Sequence, residues 1–378
     1  MNERKKFFDG VKRIVVKIGS SSLTLPDGGL DILNMKKFVG EVSNLKKQGF
    51  EFIIVSSGAI AAGLKYLSID RRPDDLSLLQ ASASVGQVEL MRIYSELFSE
   101  FGIKVGQILL THEDTTRREQ YLNIKNTIEK LIKMNIIPII NENDSVAVDE
   151  IKFGDNDKLA ALVSCLSEAD VLVILSDIDG LFEKDPRLHP DARFISMVER
   201  VDENIERIAG GIGSTYGSGG MVTKVKAAKI CSFSGIGMVI ANSRDDKVLE
   251  KVIRGEDTGT FFVPQKAKRL KSKKSWIAFG KRSMGSITID KGAEEAIVKK
   301  GKSILPVGVV KVSGNFAKGD TLKVFSLNNE LIAKGISNFS REEINKLKGK
   351  NEKQIREEFG TSLCGEIIHR DSLVVFKE

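Results

Sequence analysis

Between residues 13 and 263 the chain alternates short runs of β-branched and aliphatic residues with longer segments of helical period, a pattern that few folds accept. RIVVKI, FEFIIV, KVGQILL, IIPII, VLVIL, GMVIA and TGTFFV are the expected strands. They lack the regular polar alternation of a strand wetted on one face. Helical patterns fall between them, including DILNMKKFVGEVSNLKKQG, closed by Gly49 as a C-cap, and YLNIKNTIEKLIKMN. The fold class that follows is α/β, a mainly parallel sheet sandwiched by helices. Ligands of such sheets collect at the carboxyl ends of the strands, so the residues just after each strand are the ones to read for function.

The pattern breaks at QKAKRLKSKK, residues 265–274, which reads as a basic linker. Beyond it SWIAFG, GSITID, GVVKVSG and DTLKVFS have the character of short strands separated by glycine-containing turns. The expected organisation is therefore an α/β domain over 1–264, the linker, and a β-rich domain over 275–378. Charge divides the chain in the same place. From Ser272 to Glu378 there are 20 Lys and Arg against 13 Asp and Glu, whereas the first 271 residues hold 38 of each. The whole net charge of +7 thus lies at the C-terminal end. It suits an acidic partner such as nucleic acid, or else a solvated lysine-rich surface.

Three separated cysteines, Cys165, Cys231 and Cys364, make no CxxC and indicate neither a disulfide framework nor a cysteine zinc site. No apolar h-region precedes the first strand and no apolar run approaches the ~18 residues of a spanning helix, so a cytoplasmic protein is expected. AIVKKGKS (296–303) falls short of a phosphate-binding Walker loop, because Ala296 replaces the first glycine and a helical segment precedes it. HRDSL (369–373) lacks the downstream Asn and the DFG of a protein kinase. His112, His189 and His369 are isolated, which argues against histidine chemistry.

Four segments remain, each placing polar or glycine residues after an apolar strand or at a helix start. RIVVKIGSSSL puts Lys17 inside an apolar strand and follows it with Gly19 and three serines. A buried ammonium needs an anion, and the turn offers N–H groups to the same anion. IIVSSGAIAAG brings Ser56, Ser57 and Gly58 to a strand-to-helix turn. IINENDSVAVDEIKFGDND packs Glu142, Asp144, Asp149, Glu150, Asp155 and Asp157 into sixteen residues opposed only by Lys152. Such density calls for Mg²⁺, a lysine or a ligand ammonium. GGIGSTYGSGGMVTKVKAAK has six glycines in residues 210–220 and then opens a helix bearing Thr223 and Lys224, a second phosphate cradle. Two lysines, N–H-rich turns and an acid cluster together fit phosphoryl transfer, whose transition state spreads negative charge over the phosphate oxygens.

VVKIGSSSLT, VSSGAIAAG, YLNIKNT, PIINENDSVAVDEIKFGDND, SDIDGLF, KDPR and GSGGMVTKVKAA resemble, in order and spacing, the amino acid kinase family, in particular those members that act on the glutamate side chain. From SWIAFGKRSMGSITID to IAKGISNFS the tail resembles a PUA domain, a small β-barrel found in RNA-modifying enzymes. The resemblance implies ATP-dependent phosphorylation of L-glutamate to L-glutamyl 5-phosphate, the first step of proline synthesis. It assigns Lys17 and Lys224 to the moving phosphoryl group and Asp157 to orienting them. Ser57, Gly58, Asp144 and Asn156 would hold glutamate, with Asp144 facing its ammonium. Gly19, Ser176, Asp177 and the loop Ser218, Gly219, Gly220, Met221, Val222, Thr223 and Lys224 would hold ATP, with Mg²⁺ carried on its phosphates and no protein ligand assigned to the metal. The family commonly has Thr where Ser176 stands, a change that keeps the hydroxyl. Proline as feedback inhibitor, a glutamyl-phosphate reductase as recipient of the product, RNA at the PUA-like domain and a homo-oligomer are the further partners implied. Two other readings remain open: another carboxylate kinase of the family, acting on aspartate or acetylglutamate, and an RNA-binding protein with a regulatory kinase-like domain.

Overall fold

The computed structural model describes residues 3–25, 28–146, 156–210, 220–265, 270–361 and 363–377. The chain divides into two compact units, Met1–Arg269 and Leu270–Glu378.

In the first unit the apolar runs form β1 (Arg13–Ile18), β2 (Glu51–Val55), β3 (Val105–Leu110), β4 (Ile137–Glu142) and β5 (Val171–Ser176). The two-residue strands β6 (Leu181–Phe182), β7 (Phe194–Ile195) and β8 (Met197–Val198) follow, then β9 (Gly237–Asn242) and β10 (Thr260–Phe262). Eight of them make one sheet in the order β3-β4-β2-β1-β5-β9-β10-β8. Every pair from β3 to β9 is parallel, and only β10 runs antiparallel to β9. Both faces are covered, which is why the strands read as unbroken apolar runs. On one face Ile14, Val16, Ile18, Ile54 and Ile139 pack against the helices Ile32–Lys47 and Leu76–Ser99. The helix Asn156–Leu166 crosses β1, β2, β4 and β5 and contributes nothing to that cluster, so it lies on the opposite face. Among the described residues no helix is long and apolar enough to cross a membrane.

One helix pair packs with its backbones in direct contact. The helix Ala59–Tyr66 crosses Leu76–Ser99 at backbone contact through Gly63 and Gly86. A methyl group on Gly86 would stand 1.8 Å from the Ala59 carbonyl oxygen, and one on Gly63 1.8 Å from that of Ser82. Both obstacles are backbone, so only moving the helices apart relieves the overlap. Gly86→Ala is expected to lower stability by about 1–3 kcal/mol through overpacking, read as an earlier urea midpoint. A midpoint unchanged from the parent would show that the helices have room to part.

The second unit is a five-stranded sheet, in the order β12-β11-β13-β14-β15, of β11 (Ser283–Ile289), β12 (Val309–Gly314), β13 (Thr321–Phe325), β14 (Leu331–Ile336) and β15 (Leu373–Val375). Its core is Ile287, Ile289, Ile297, Leu322, Val324, Ile332, Ile344 and Ile368. SWIAFG is not the expected strand: Ser272–Ser275 is a helical turn and Trp276–Gly280 a single π turn. A short apolar run does not by itself separate strand from buried helix. Here Trp276, Ile277 and Ala278 are buried in succession, which strand alternation would not allow, and Lys334 Nζ caps the turn by donating to the carbonyls of Ala278 (3.1 Å) and Lys281 (2.5 Å). The Walker-like AIVKKGKS closes the helix Lys291–Lys300, with Gly301 at φ +57° as its left-handed cap. A helix end of this polarity presents carbonyls, not phosphate-binding N–H groups.

Candidate active site

Because β4, β2, β1, β5 and β9 are parallel neighbours, their carboxyl ends form one edge with β1 at its centre. The polar residues that follow each apolar run therefore meet there.

Lys17 is the one charged residue in the interior of β1, its ammonium beside the Gly19 turn, where a methyl group would stand 3.6 Å from Nζ. The N-terminus of Asn156–Leu166 brings Asp157 beneath it, and Lys17 Nζ meets Asp157 Oδ1 at 2.7 Å. From the helix Met221–Ser234, Lys224 Nζ meets Asp157 Oδ2 at 3.1 Å, and the Thr223 hydroxyl lies 3.0 Å from the same oxygen. Asp157 is wholly buried, and Lys17 and Lys224 are only 7% and 5% exposed. Burial is the largest influence on the Asp157 carboxyl and opposes its ionisation. The charges and hydrogen bonds of Lys17 and Lys224 outweigh it and hold the group below its ordinary value. Among these three side chains one positive charge is left over, which favours an anion at the centre of the edge.

To the β5 and β9 side, Ser176 is buried and donates to Asp177 Oδ1 at 3.1 Å, while its carbonyl accepts from the Ser243 N–H at 2.7 Å. Ser243 also reaches the Ser22 hydroxyl at 2.7 Å, and the Gly19 N–H donates to the Leu175 carbonyl at 3.3 Å. The first serine turn is thus tied to the ends of β5 and β9. Gly220, Met221, Val222 and Thr223 form the N-terminal turn of the Lys224 helix, and the Thr223 hydroxyl also reaches the Gly220 carbonyl at 2.8 Å.

To the β2 and β4 side, Gly58 turns the chain at φ +93° into the helix Ala59–Tyr66. Asn156 Nδ2 donates toward the Ser56 carbonyl (2.7 Å), Asn141 Oδ1 (2.9 Å) and Ser57 Oγ (3.0 Å). Ser56 Oγ pairs at 3.0 Å with the buried phenol of Tyr94, whose ionisation is pushed up by burial against the opposing Ser56 hydrogen bond. Asp144 occupies the half-buried turn after β4. Its neighbours anchor that turn: the Asn143 N–H donates to the Leu110 carbonyl at 2.8 Å, and the hydroxyls of Ser145 and Ser84 pair at 2.8 Å.

Lys17, Gly19, Ser57, Gly58, Asp144, Asn156, Asp157, Ser176, Asp177, Gly220, Met221, Val222, Thr223 and Lys224 all lie on this edge or on the helix starts that face it. Ser218 and Gly219 lie outside the described residues, as do Asp149, Glu150, Lys152 and Asp155 of the acid-rich segment. Sequence reading missed Asn141, Gln87 and Tyr94. Asn141 carried the signal used elsewhere, a polar residue ending the apolar run IIPII, but Gln87 and Tyr94 lie within a long helix where nothing local distinguishes them.

Residues 12–242 match the amino acid kinase family and residues 285–359 the PUA domain. Among curated proteins, a glutamate 5-kinase of Caldanaerobacter subterraneus subsp. tengcongensis is 48% identical over 365 residues, 97% of this chain and 98% of that protein. One from Carboxydothermus hydrogenoformans is 48% identical over 372 residues, covering 98% and 99%. One from Geobacter sulfurreducens is 46% identical over 372 residues, covering 98% and 100%. With the strand edge, its lysine pair and these full-length likenesses in agreement, the chain belongs to the amino acid kinase family.

Proposed function

We propose that this chain transfers the γ-phosphoryl group of ATP to the side-chain carboxylate of L-glutamate, giving ADP and L-glutamyl 5-phosphate, the first step of proline biosynthesis. The observation that carries this reading is the buried pair Lys17 and Lys224 on the single carboxylate of Asp157. ATP would lie toward β5 and β9 over Gly19, Ser176, Asp177 and the Ser218–Lys224 loop. Glutamate would lie toward β2 and β4 against Ser57, Gly58, Asp144 and Asn156, with Asp144 balancing its ammonium. The acceptor needs no general base, since a glutamate side chain with a pKa near ~4.3 is ionised at neutral pH. Catalysis then reduces to alignment and neutralisation of charge on the moving group. Mg²⁺ would enter on the nucleotide phosphates. Asp157, already engaged by two ammonium groups, is poorly placed to take a cation as well.

A coupled ADP-release assay across L-glutamate, N-acetylglutamate and aspartate tests the substrate. Glutamate is expected to give the highest kcat/KM, and a preference for either other acid would move the chain to another carboxylate-kinase activity. Asp144→Asn is expected to raise the KM for glutamate about 10–100-fold, the worth of one charge-assisted hydrogen bond, with kcat changed far less. An unchanged KM would place the ammonium elsewhere.

For the second unit, RNA is the proposed partner. Lys323 and Lys334 face each other on antiparallel neighbours β13 and β14, a like-charge pairing that phosphate would relieve. Burial, with Lys323 and Lys281 nearby, draws the Lys334 ammonium down to about 8. Binding to a structured RNA is expected to weaken steeply as salt rises, and Lys323→Ala to reduce that slope by about one. A salt-insensitive affinity would leave the basic excess as solvated surface. Proline as an inhibitor at the glutamate site, delivery of the acyl phosphate to a reductase and a homo-oligomeric, cytoplasmic enzyme complete the proposal.

A further inference from the structure

We propose that Gln87, which lies outside the phosphoryl site, is a positioning residue for acceptor-substrate binding: by accepting from the Asn141 amide nitrogen it supports the orientation of Asn141, and through it that of Asn156, whose oxygen is presented to the substrate. This deepens the functional reading above and rests on the carboxylate acceptor lying between the ends of β2 and β4.

The orientation of the network follows from one atom. The Glu142 backbone N–H can only donate, and it lies 2.9 Å from the side-chain amide of Asn141, so the atom facing it is Oδ1. The Asn141 amide nitrogen must then face the other way, where it donates to Gln87 Oε1 at 2.8 Å. Asn141 Oδ1 also accepts from Asn156 Nδ2 at 2.9 Å. The remaining neighbours of Asn156 Nδ2, the Ser56 carbonyl and Ser57 Oγ, are acceptors as well. Every partner thus calls for nitrogen on that side of Asn156, and its Oδ1 is left as an acceptor for a ligand N–H. Two amide hydrogens shared among three acceptors also leave Ser57, the most distant of them, able to turn its own hydroxyl hydrogen toward a ligand.

The network spans the sheet edge. Gln87 comes from the helix Leu76–Ser99 on one face, Asn141 from the end of β4, and Asn156 from the helix on the other face. Gln87 is 8% exposed, and its neighbour Gly86 seats the helix against Ala59 and Gly63 at backbone contact. Among the described residues its buried Nε2 has no hydrogen-bond partner. Only the acceptor half of this side chain is therefore used. Without that acceptor the Asn141 amide nitrogen is buried unsatisfied. Turning Asn141 over to relieve it would set its nitrogen against the Glu142 N–H and against Asn156 Nδ2.

The test compares Gln87→Met, similar in shape but without the acceptor, with Gln87→Glu, which keeps an acceptor oxygen toward Asn141 and exchanges the amide nitrogen for the hydroxyl of a carboxyl that burial favours in its neutral form. Gln87→Met is expected to raise the KM for glutamate about tenfold, the effect of one unsatisfied buried amide, with the KM for ATP changed less than about twofold. Gln87→Glu is expected to return the glutamate KM to within about threefold of the parent, and the double variant Gln87→Met, Asn141→Leu to be no worse than Asn141→Leu alone. An unchanged glutamate KM in Gln87→Met, an equal rise in both KM values, or additive effects in the double variant would overturn the proposal. If Gln87→Met does not fold, Gln87→Glu decides, and a tenfold rise there counts against it. Should the parent enzyme prefer another acid, the same comparison is read on that acid. Failure of the substrate assignment is thereby separated from failure of the positioning role.

Discussion

Replacing either Lys17 or Lys224 by alanine is expected to lower kcat about 10²–10³-fold, the range found when one donor to a developing oxyanion is removed. The magnitude follows from where the ammonium groups sit. Both are almost fully buried, so the attraction they exert on charge building over the phosphoryl oxygens is weakly screened. Asp157 holds both in place before substrate arrives, so little reorganisation is needed in the transition state. Each single variant keeps one lysine on Asp157 and should remain folded. The glutamate KM is expected to move less than about threefold, because the contacts on the β2 and β4 side involve neither lysine. Steady-state kinetics at saturating ATP, with a thermal melt to confirm folding, checks both statements. Near-normal turnover in either variant would remove that lysine from the chemistry.

Asp157→Asn is expected to lower stability by about 3–5 kcal/mol, the cost of leaving a buried charge without its partner. For a unit of this size that lowers the melting temperature by on the order of 10 °C. A neutral amide cannot balance two ammonium groups, and its nitrogen would face one of them. ATP should then protect the variant more than the parent, because its phosphates supply the missing negative charge. The pH dependence has a definite sign. The Asp157 carboxyl sits below its ordinary value of 3.8 in the folded chain, so its stabilisation is complete at neutral pH and is lost only as acid carries the pH below that value. Urea melts of parent and variant with and without ATP provide the measurement. Equal stability without nucleotide would mean that the lysines are balanced by some other group.

The fold and the position of the candidate site were legible for the same physical reason. A parallel sheet buried on both faces demands unbroken apolar runs, and whatever polar residue ends such a run stands at the ligand edge, as Lys17, Ser57 and Ser176 do. Burial alone required an anion for Lys17. That the anion is Asp157, 140 positions further along the chain, came from resemblance, because no local pattern reports which distant helix start docks on a given strand. Gln87 was invisible for a related reason: one glutamine on an otherwise ordinary helix becomes meaningful only once Asn141 is opposite it. SWIAFG was misread because four apolar residues in a row fit a strand and a buried turn equally well. The strands β6, β7 and β8 were too short, at two residues each, to carry any period.

A crystal structure of the protein with ADP, a planar fluoride mimic of the moving phosphoryl group and glutamate tests the central claim most directly. Lys17 Nζ and Lys224 Nζ are predicted to lie within hydrogen-bonding distance of that mimic, on opposite sides, with the glutamate carboxylate in line behind it. A mimic bound away from β1, with both ammonium groups still on Asp157, would contradict it.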